Sequence, residues 1–168
     1  MVFQFRQATQ NDLASIWEII QQAIARRKSE GSKQWQDGYP NPNSLEIDIQ
    51  NQVGFVLTLN ETIVGYSAVL INDEPAYAAI EGHWLTNGDF IVVHRVAIHD
   101  DFLGQGLAIK IFEMIADDAK TKNIKSIKVD TNFDNLPMLH IFKKLGYQYC
   151  GQVYFRGNAR QAFEKVLI

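Results

Sequence analysis

Apolar residues along this chain recur with two different periods, and the switches between them mark out its elements. "VFQFRQA" alternates and predicts a first strand. Thr9, with Asp12 three residues on, makes a capping-box-like start. Leu13, Ile16, Trp17, Ile20 and Ile24 then recur at helical spacing and predict a helix with one apolar face. Glycines and prolines in "EGSKQWQDGYPNPN" break it, and Ser44 is expected to cap a short second helix through "LEIDIQN". "GFVLTLN" and "TIVGYSAVLIN" read as two strands turning at Asn60-Glu61. "DFIVVHRVAI" is a nearly continuous apolar run, the pattern of a central strand buried on both faces.

From Gly106 to Lys120 the helical period returns, with Leu107, Ala108, Ile111, Phe112, Ile115 and Ala119 on one stripe. "KSIKVDTN" is the next strand. "NLPMLHIFKKLG" predicts a helix capped by Asn135, with Pro137 in its first turn and Gly146 at its stop. "YQYCGQVYF" and "RQAFEKVLI" close the chain as strands joined by "RGNA". The order is mixed α/β, of the α+β kind, with antiparallel neighbours early and a strand–helix–strand unit in the middle. No linker, repeat or low-complexity run interrupts it, so residues 1–168 are expected to form a single domain.

Composition excludes some functions. The chain is 46% hydrophobic and 21% charged, with net charge −3, and so lacks the basic excess of a nucleic-acid surface. Arg26-Arg27-Lys28 reads as the solvated end of a helix. Cys150 is the lone cysteine; it can form no internal disulfide and no zinc quartet, and "YQYCGQV" offers no activating base. "MVFQFRQATQ" lacks the pattern of a signal peptide, and no stretch approaches a transmembrane span. The expectation is a cytoplasmic protein with no nucleic-acid, membrane or metal partner.

Gly104-Gln105-Gly106 stands between the apolar run and the helix that follows. A P-loop needs a Lys-Ser/Thr pair where this chain has Leu107-Ala108. A dinucleotide loop needs a third glycine where it has Ile109, and it lies near the first strand of its domain. A pyrophosphate on a helix N-terminus needs neither. Small residues admit it, the unpaired N–H groups donate, and the dipole favours its charge. A plain tight turn fits the spacing as well.

"VAIHDDFLGQGLA" resembles the acetyl-CoA motif of the GNAT N-acetyltransferase superfamily, Arg/Gln-x-x-Gly-x-Gly/Ala after a strand. Gly106 and Ala108 match its last two fixed positions, while Leu103 departs from the first. "DTNFDNLPMLHIFKKLGYQYCG" resembles the family's later strand–helix–strand segment, and "HRVAI" and "QWQDGYPNPNSLEIDI" resemble segments of a bacterial small-molecule-type branch. The resemblance spans nearly the whole chain. It implies a GNAT-like fold: a mixed, mostly antiparallel central sheet, splayed in the middle and flanked by helices. It also implies an N-acetyltransferase that moves an acetyl group from acetyl-CoA to a primary amine of a small molecule or peptide by direct attack.

The same resemblance implies roles for individual residues. Val96, Ala97 and Ile98 would bind the pantetheine arm through their backbone, a strand N–H stabilising the oxyanion. Gly104, Gln105, Gly106, Leu107, Ala108 and Ile109 would wrap the pyrophosphate. Asn135 would contact the cofactor besides capping its helix, as would Phe142, which stands where many members carry a proton-donating tyrosine. An amine with a reference pKa of about 10.4 needs a base at neutral pH. Asp130, five residues before Asn135, matches an acidic base of some members. His94, two residues before Val96 and so on the same side of its strand, is the second candidate. Each reads equally as structural, Asp130 bonded to local backbone and His94 buried with its hydrogen bond satisfied. The general acid stays open between Tyr147, Tyr154 and unassisted departure of the thiolate. Trp35 and Tyr39, with Tyr66 and Arg95, are expected either to wall the acceptor site or to pack into the core. A homodimer is compatible with the family, although no exposed apolar strand singles out an interface. The rival function is a non-catalytic acyl-CoA-binding sensor or interaction module, which Leu103 and Phe142 favour. A Rossmann-type oxidoreductase fails on Ile109 and on the antiparallel strand order.

Overall fold

The computed structural model describes all residues, 1–168. Its strands are β1 (Phe3–Gln7), β2 (Gly54–Leu59), β3 (Thr62–Ile71), β4 (Glu81–Gly82), β5 (Ile91–Ile98), β6 (Ser126–Thr131), β7 (Gln148–Phe155) and β8 (Asn158–Val166). Its helices are α1 (Leu13–Ser29), α2 (Pro42–Gln50), α3 (Pro75–Ala78), α4 (Leu107–Thr121) and α5 (Leu136–Lys144). The strands make one eight-stranded sheet in the order β1-β2-β3-β5-β6-β8-β7-β4, mostly antiparallel, with β5 and β6 parallel. By compactness the chain divides into two units, Met1–Val69 with His94–Met114 and Leu70–Val93 with Ile115–Ile168. No helix is long and apolar enough to cross a membrane.

In the first unit, β1 pairs with β2 from Phe3↔Leu59 to Gln7↔Phe55, and Phe5 stacks on Phe55 at 5.3 Å. The β2–β3 hairpin turns at Asn60 and Glu61, whose φ values of 48° and 74° are those of a tight primed turn. A 3₁₀ turn at Gln10–Asp12 leads into α1. Asp12 accepts from the Thr9 N–H at 2.8 Å and from both terminal nitrogens of Arg6, at 2.8 and 3.0 Å. Ile16, Ile19, Ile20 and Ala23 of α1 pack with Leu45, Val56, Tyr66 and Ala97 into the core of this unit. The predicted face of α1 is therefore the buried one. The cap of α2 is Asn41 rather than Ser44. Pro42 supplies the fixed φ of the first helical residue, and the Asn41 side chain accepts from the Ser44 N–H at 2.9 Å.

In the second unit, β6 and β7 flank β8, in register from Ser126↔Val166 to Thr131↔Gln161 and from Gln148↔Glu164 to Phe155↔Asn158. The β7–β8 turn is only Arg156-Gly157, so β8 begins earlier than "RGNA" suggested. Asn135 caps α5 by accepting from the Met138 N–H at 3.3 Å, and Gly146 follows the helix with φ of 82°, both as expected. The segment between β3 and β5 has no periodic pattern, and its α3 and β4 were not foreseen. β4 pairs with β7 at Gly82↔Gly151. A Cβ on either glycine would lie about 2 Å from a carbonyl oxygen of the facing strand, so only glycine fits there. Glu164, fully buried on β8, anchors the same segment. It accepts from the Leu85 N–H (2.6 Å), the Thr86 hydroxyl (2.5 Å) and the Ser126 hydroxyl (2.6 Å).

Asp12→Ala removes a cap and an ion pair together and is expected to lower the unfolding free energy by about 1–2 kcal/mol, read from the urea midpoint. The Arg6 hydrogen bond holds the Asp12 carboxyl below its usual range. Its contribution is complete above the unfolded pKa of about 3.9 and disappears as pH falls through the lower folded value. The gap between variant and parent therefore closes in acid.

Candidate active site

In the first unit β5 ends at Ile98 and a loop leads to α4. Gly104 and Gly106 have φ of 76° and 72°, the left-handed region that side-chain-bearing residues adopt at a cost. No atom lies within 4 Å of where a Cβ would project from either. Conformation rather than crowding requires glycine at both, and the space beside the loop is open. α4 starts at Leu107, and the N–H groups of a first helical turn have no partner within their own helix. Leu103, in the place of the family's polar residue, is 45% exposed. The loop is held at its base: Arg26 pairs with Asp100 and donates to the Ile98 carbonyl at 3.2 Å, while Gln22 accepts from the Asp100 N–H at 2.8 Å. Arg26 is thus engaged in structure and is not merely a solvated helix-end cation.

β5 is interrupted at Arg95, where φ is 56°. The pleat that would put His94 and Val96 on one face does not run regularly through it. The Arg95 guanidinium forms a bidentate pair with Asp48 of α2, at 2.9 and 2.7 Å, and donates to the Tyr39 hydroxyl. Tyr66 donates to the same Asp48 carboxylate at 2.5 Å. Burial pulls Arg95 down, but its electrostatic interactions with Tyr39 and Asp48 outweigh it and hold the group above its usual range. Burial, reinforced by Asp48, pushes Tyr66 well above the ordinary phenol value. Three of the four expected acceptor-wall residues are brought together here, around a carboxylate the sequence reading passed over. Tyr66 itself is 0% exposed and belongs to the core, so it lines no open surface. Trp35 packs against the hydrophobic core of its unit. Asp48 was legible in one respect: it lies three residues after the buried Leu45, on the inward stripe of α2.

In the second unit, Asp130 is the expected base, and its side chain is 0% exposed. One oxygen accepts from the Tyr77 hydroxyl at 2.5 Å and the other from Arg160 at 3.3 Å. Its partners are side chains, not local backbone, and both oxygens are engaged. Burial, then the Asp130 charge, pushes the Tyr77 phenol well above its ordinary value. Phe142 is buried between Tyr147 and Phe163, with ring centroids 5.5 and 5.2 Å away. Tyr147 is buried too, which raises its phenol pKa, and Tyr154 is exposed and donates to Glu81 at 2.9 Å. Cys150 is buried in β7, as a small apolar residue would be.

Comparison with known proteins shows the family of the chain. The sequence profile of the acetyltransferase (GNAT) family matches residues 16–147. The chain belongs to the GNAT family of acetyltransferases. A GNAT-family acetyltransferase from Streptococcus agalactiae shares 37% identity with it, covering 99% of this chain and 96% of that one, with a TM-score of 0.91. Two more distant structures share its fold. One is a GNAT-family acetyltransferase from Listeria monocytogenes, with 18% identity, 98% and 95% coverage and a TM-score of 0.78. The other is yncA from Salmonella typhimurium, solved with its cofactor acetyl-CoA, with 17% identity, 100% and 95% coverage and a TM-score of 0.69. A comparison with curated protein sequences gave no match.

The best-defined polar construction of this GNAT chain is the Asp48–Arg95–Tyr66 cluster. Asp48→Ala would leave a buried guanidinium without its counter-charge and is expected to cost about 3 kcal/mol of stability, with Tyr66→Phe costing about 1 kcal/mol. Chemical denaturation of the two variants checks both the values and their order.

Proposed function

We propose that this GNAT domain, a single domain over residues 1–168, transfers an acetyl group from acetyl-CoA to a primary amine of a small molecule or peptide. The observation that carries the reading is the glycine loop. Gly104 and Gly106, both left-handed, stand beside open space at the start of a fifteen-residue helix, after the strand that ends at Ile98 and the 3₁₀ turn Asp100–Phe102. Those features fit a pyrophosphate held by Gly104, Gln105, Gly106, Leu107, Ala108 and Ile109. Val96, Ala97 and Ile98 would hold the pantetheine arm by their backbone.

Bound acetyl-CoA supplies a thioester carbonyl carbon, to which the amine nitrogen bonds while the carbon–sulfur bond breaks and CoA departs. A backbone N–H at Val96–Ile98 stabilises the negative charge that develops on the carbonyl oxygen. The amine proton passes to His94, directly or through water. Asp130 is the weaker candidate for that step, because Tyr77 and Arg160 already occupy its carboxylate. Its role in this reading is to position Tyr77. Tyr147 is a poor proton donor to the leaving sulfur: burial raises its phenol above 10, whereas a thiol has a pKa of about 8.5, so the transfer would run uphill. The thiolate then leaves unassisted. Tyr39 and the aliphatic stem of Arg95 would face the acceptor.

Isothermal titration with acetyl-CoA is expected to show saturable binding that Gly106→Trp abolishes, since the variant strains the loop and fills the space beside it. His94→Gln should leave that affinity unchanged and slow amine-dependent CoA release by about 10²-fold or more. Binding without CoA release for any amine tried would instead favour the sensor reading, for which Leu103 and Phe142 speak; absence of binding would overturn both.

A further inference from the structure

The second unit contains a cavity of about 370 Å³ that the donor site does not use. Tyr77, Trp84 and Phe90 form its apolar walls, Asp73 and Glu74 are among its lining, and Lys128 of β6 reaches it. Its volume is that of a small-molecule pocket.

Lys128 makes this cavity more than a packing defect. It is only 5% exposed, yet its ammonium makes no direct ion pair or hydrogen bond, and the carboxylate charge that acts on it is that of Glu164. It lies over the rings of Phe90, at 4.0 Å, and Trp84, at 4.7 Å. Its cross-strand neighbour Glu164 favours the charged ammonium, but the oxygens of that carboxylate accept from the neutral donors Leu85, Thr86 and Ser126 and not from Lys128. Asp130, next on the same face of β6, is likewise taken by Tyr77 and Arg160. Glu74 accepts from the Ala76 N–H at the start of α3. A lysine so buried is normally paired, because aromatic faces recover only part of the hydration an ammonium loses. Burial correspondingly pulls its pKa down.

We propose that this cavity binds a small molecule carrying a carboxylate on an apolar or aromatic body, the carboxylate pairing with Lys128 and the body lying against Trp84, Phe90 and Tyr77. The charge-assisted bond supplies the direct acceptor that the ammonium lacks. The aromatic walls bury the rest of the ligand. The site goes beyond acetyl transfer and stands whether or not its ligand is the acceptor.

The test is isothermal titration of the full chain, without acetyl-CoA, using phenylacetate and phenethylamine as probes of similar size and opposite charge. Phenylacetate is expected to bind, and phenethylamine about tenfold more weakly or worse. Lys128→Met should weaken phenylacetate by about tenfold or more, and Lys128→Arg, which keeps the charge, by no more than about threefold. Thermal unfolding of each variant shows which are folded; if Lys128→Met is not, the order of the two probes on the parent protein decides. No saturable phenylacetate binding, phenethylamine binding equally or better, or unchanged affinity in folded Lys128→Met would each overturn the proposal. Because the donor is absent from the titration, none of these outcomes bears on acetyl-CoA binding.

Discussion

A buried ion pair between Asp48 and Arg95 holds the first unit in its present form. Arg95 interrupts a central strand with a left-handed backbone, a conformation that costs a residue with a side chain about 1–2 kcal/mol. That cost is met because both donors of the guanidinium edge reach both oxygens of one carboxylate, a geometry that fixes direction as well as charge. Tyr66 adds a third bond from below, and Tyr39 takes the remaining guanidinium nitrogen. The strand leaves this clamp as Val96-Ala97-Ile98, so α2, which carries Asp48, bears on where those backbone groups point.

Buried carboxylates do similar work in the second unit with different partners. Glu164 gathers a backbone N–H and two hydroxyls, tying the irregular stretch after β4 to β8 and β6. Asp130 joins Tyr77 of α3 to Arg160 of β8. The segment between β3 and β5 thus owes its form to polar anchors more than to an apolar stripe, although Tyr77 and Trp84 also pack at 5.0 Å. Such anchors are costly to leave half-satisfied. Lys128, flanked by two carboxylates whose oxygens are otherwise engaged, is the exception, and it faces a cavity.

The glycine loop is built the opposite way. Its glycines meet no neighbouring atoms, and its position comes from its base, where Arg26, Asp100 and Gln22 connect α1 to the end of β5. A rigid base beneath an open, backbone-rich rim suits a loop that holds an anion by N–H groups, and the departure at Leu103 leaves those groups in place.

Periodicity and turn chemistry by themselves determined most of the elements, because Leu13 to Ile24 and Leu107 to Ala119 repeat at helical spacing and because Asn60-Glu61, Asn135 and Gly146 carry conformational preferences that act locally. They also located the glycine loop, whose left-handed backbone is a property of residue type. Tertiary structure alone decided what the polar residues do. Asp130 reads equally as a base or a structural carboxylate on paper, and only the arrival of Tyr77 and Arg160, 53 and 30 residues away, fills both its oxygens. Tyr66 reads as a wall until Asp48, on α2, takes its hydroxyl within the core. The division has a physical cause. Backbone preference and apolar spacing are written into neighbouring residues, whereas the fate of a buried charge depends on which distant partner the fold brings within hydrogen-bonding distance.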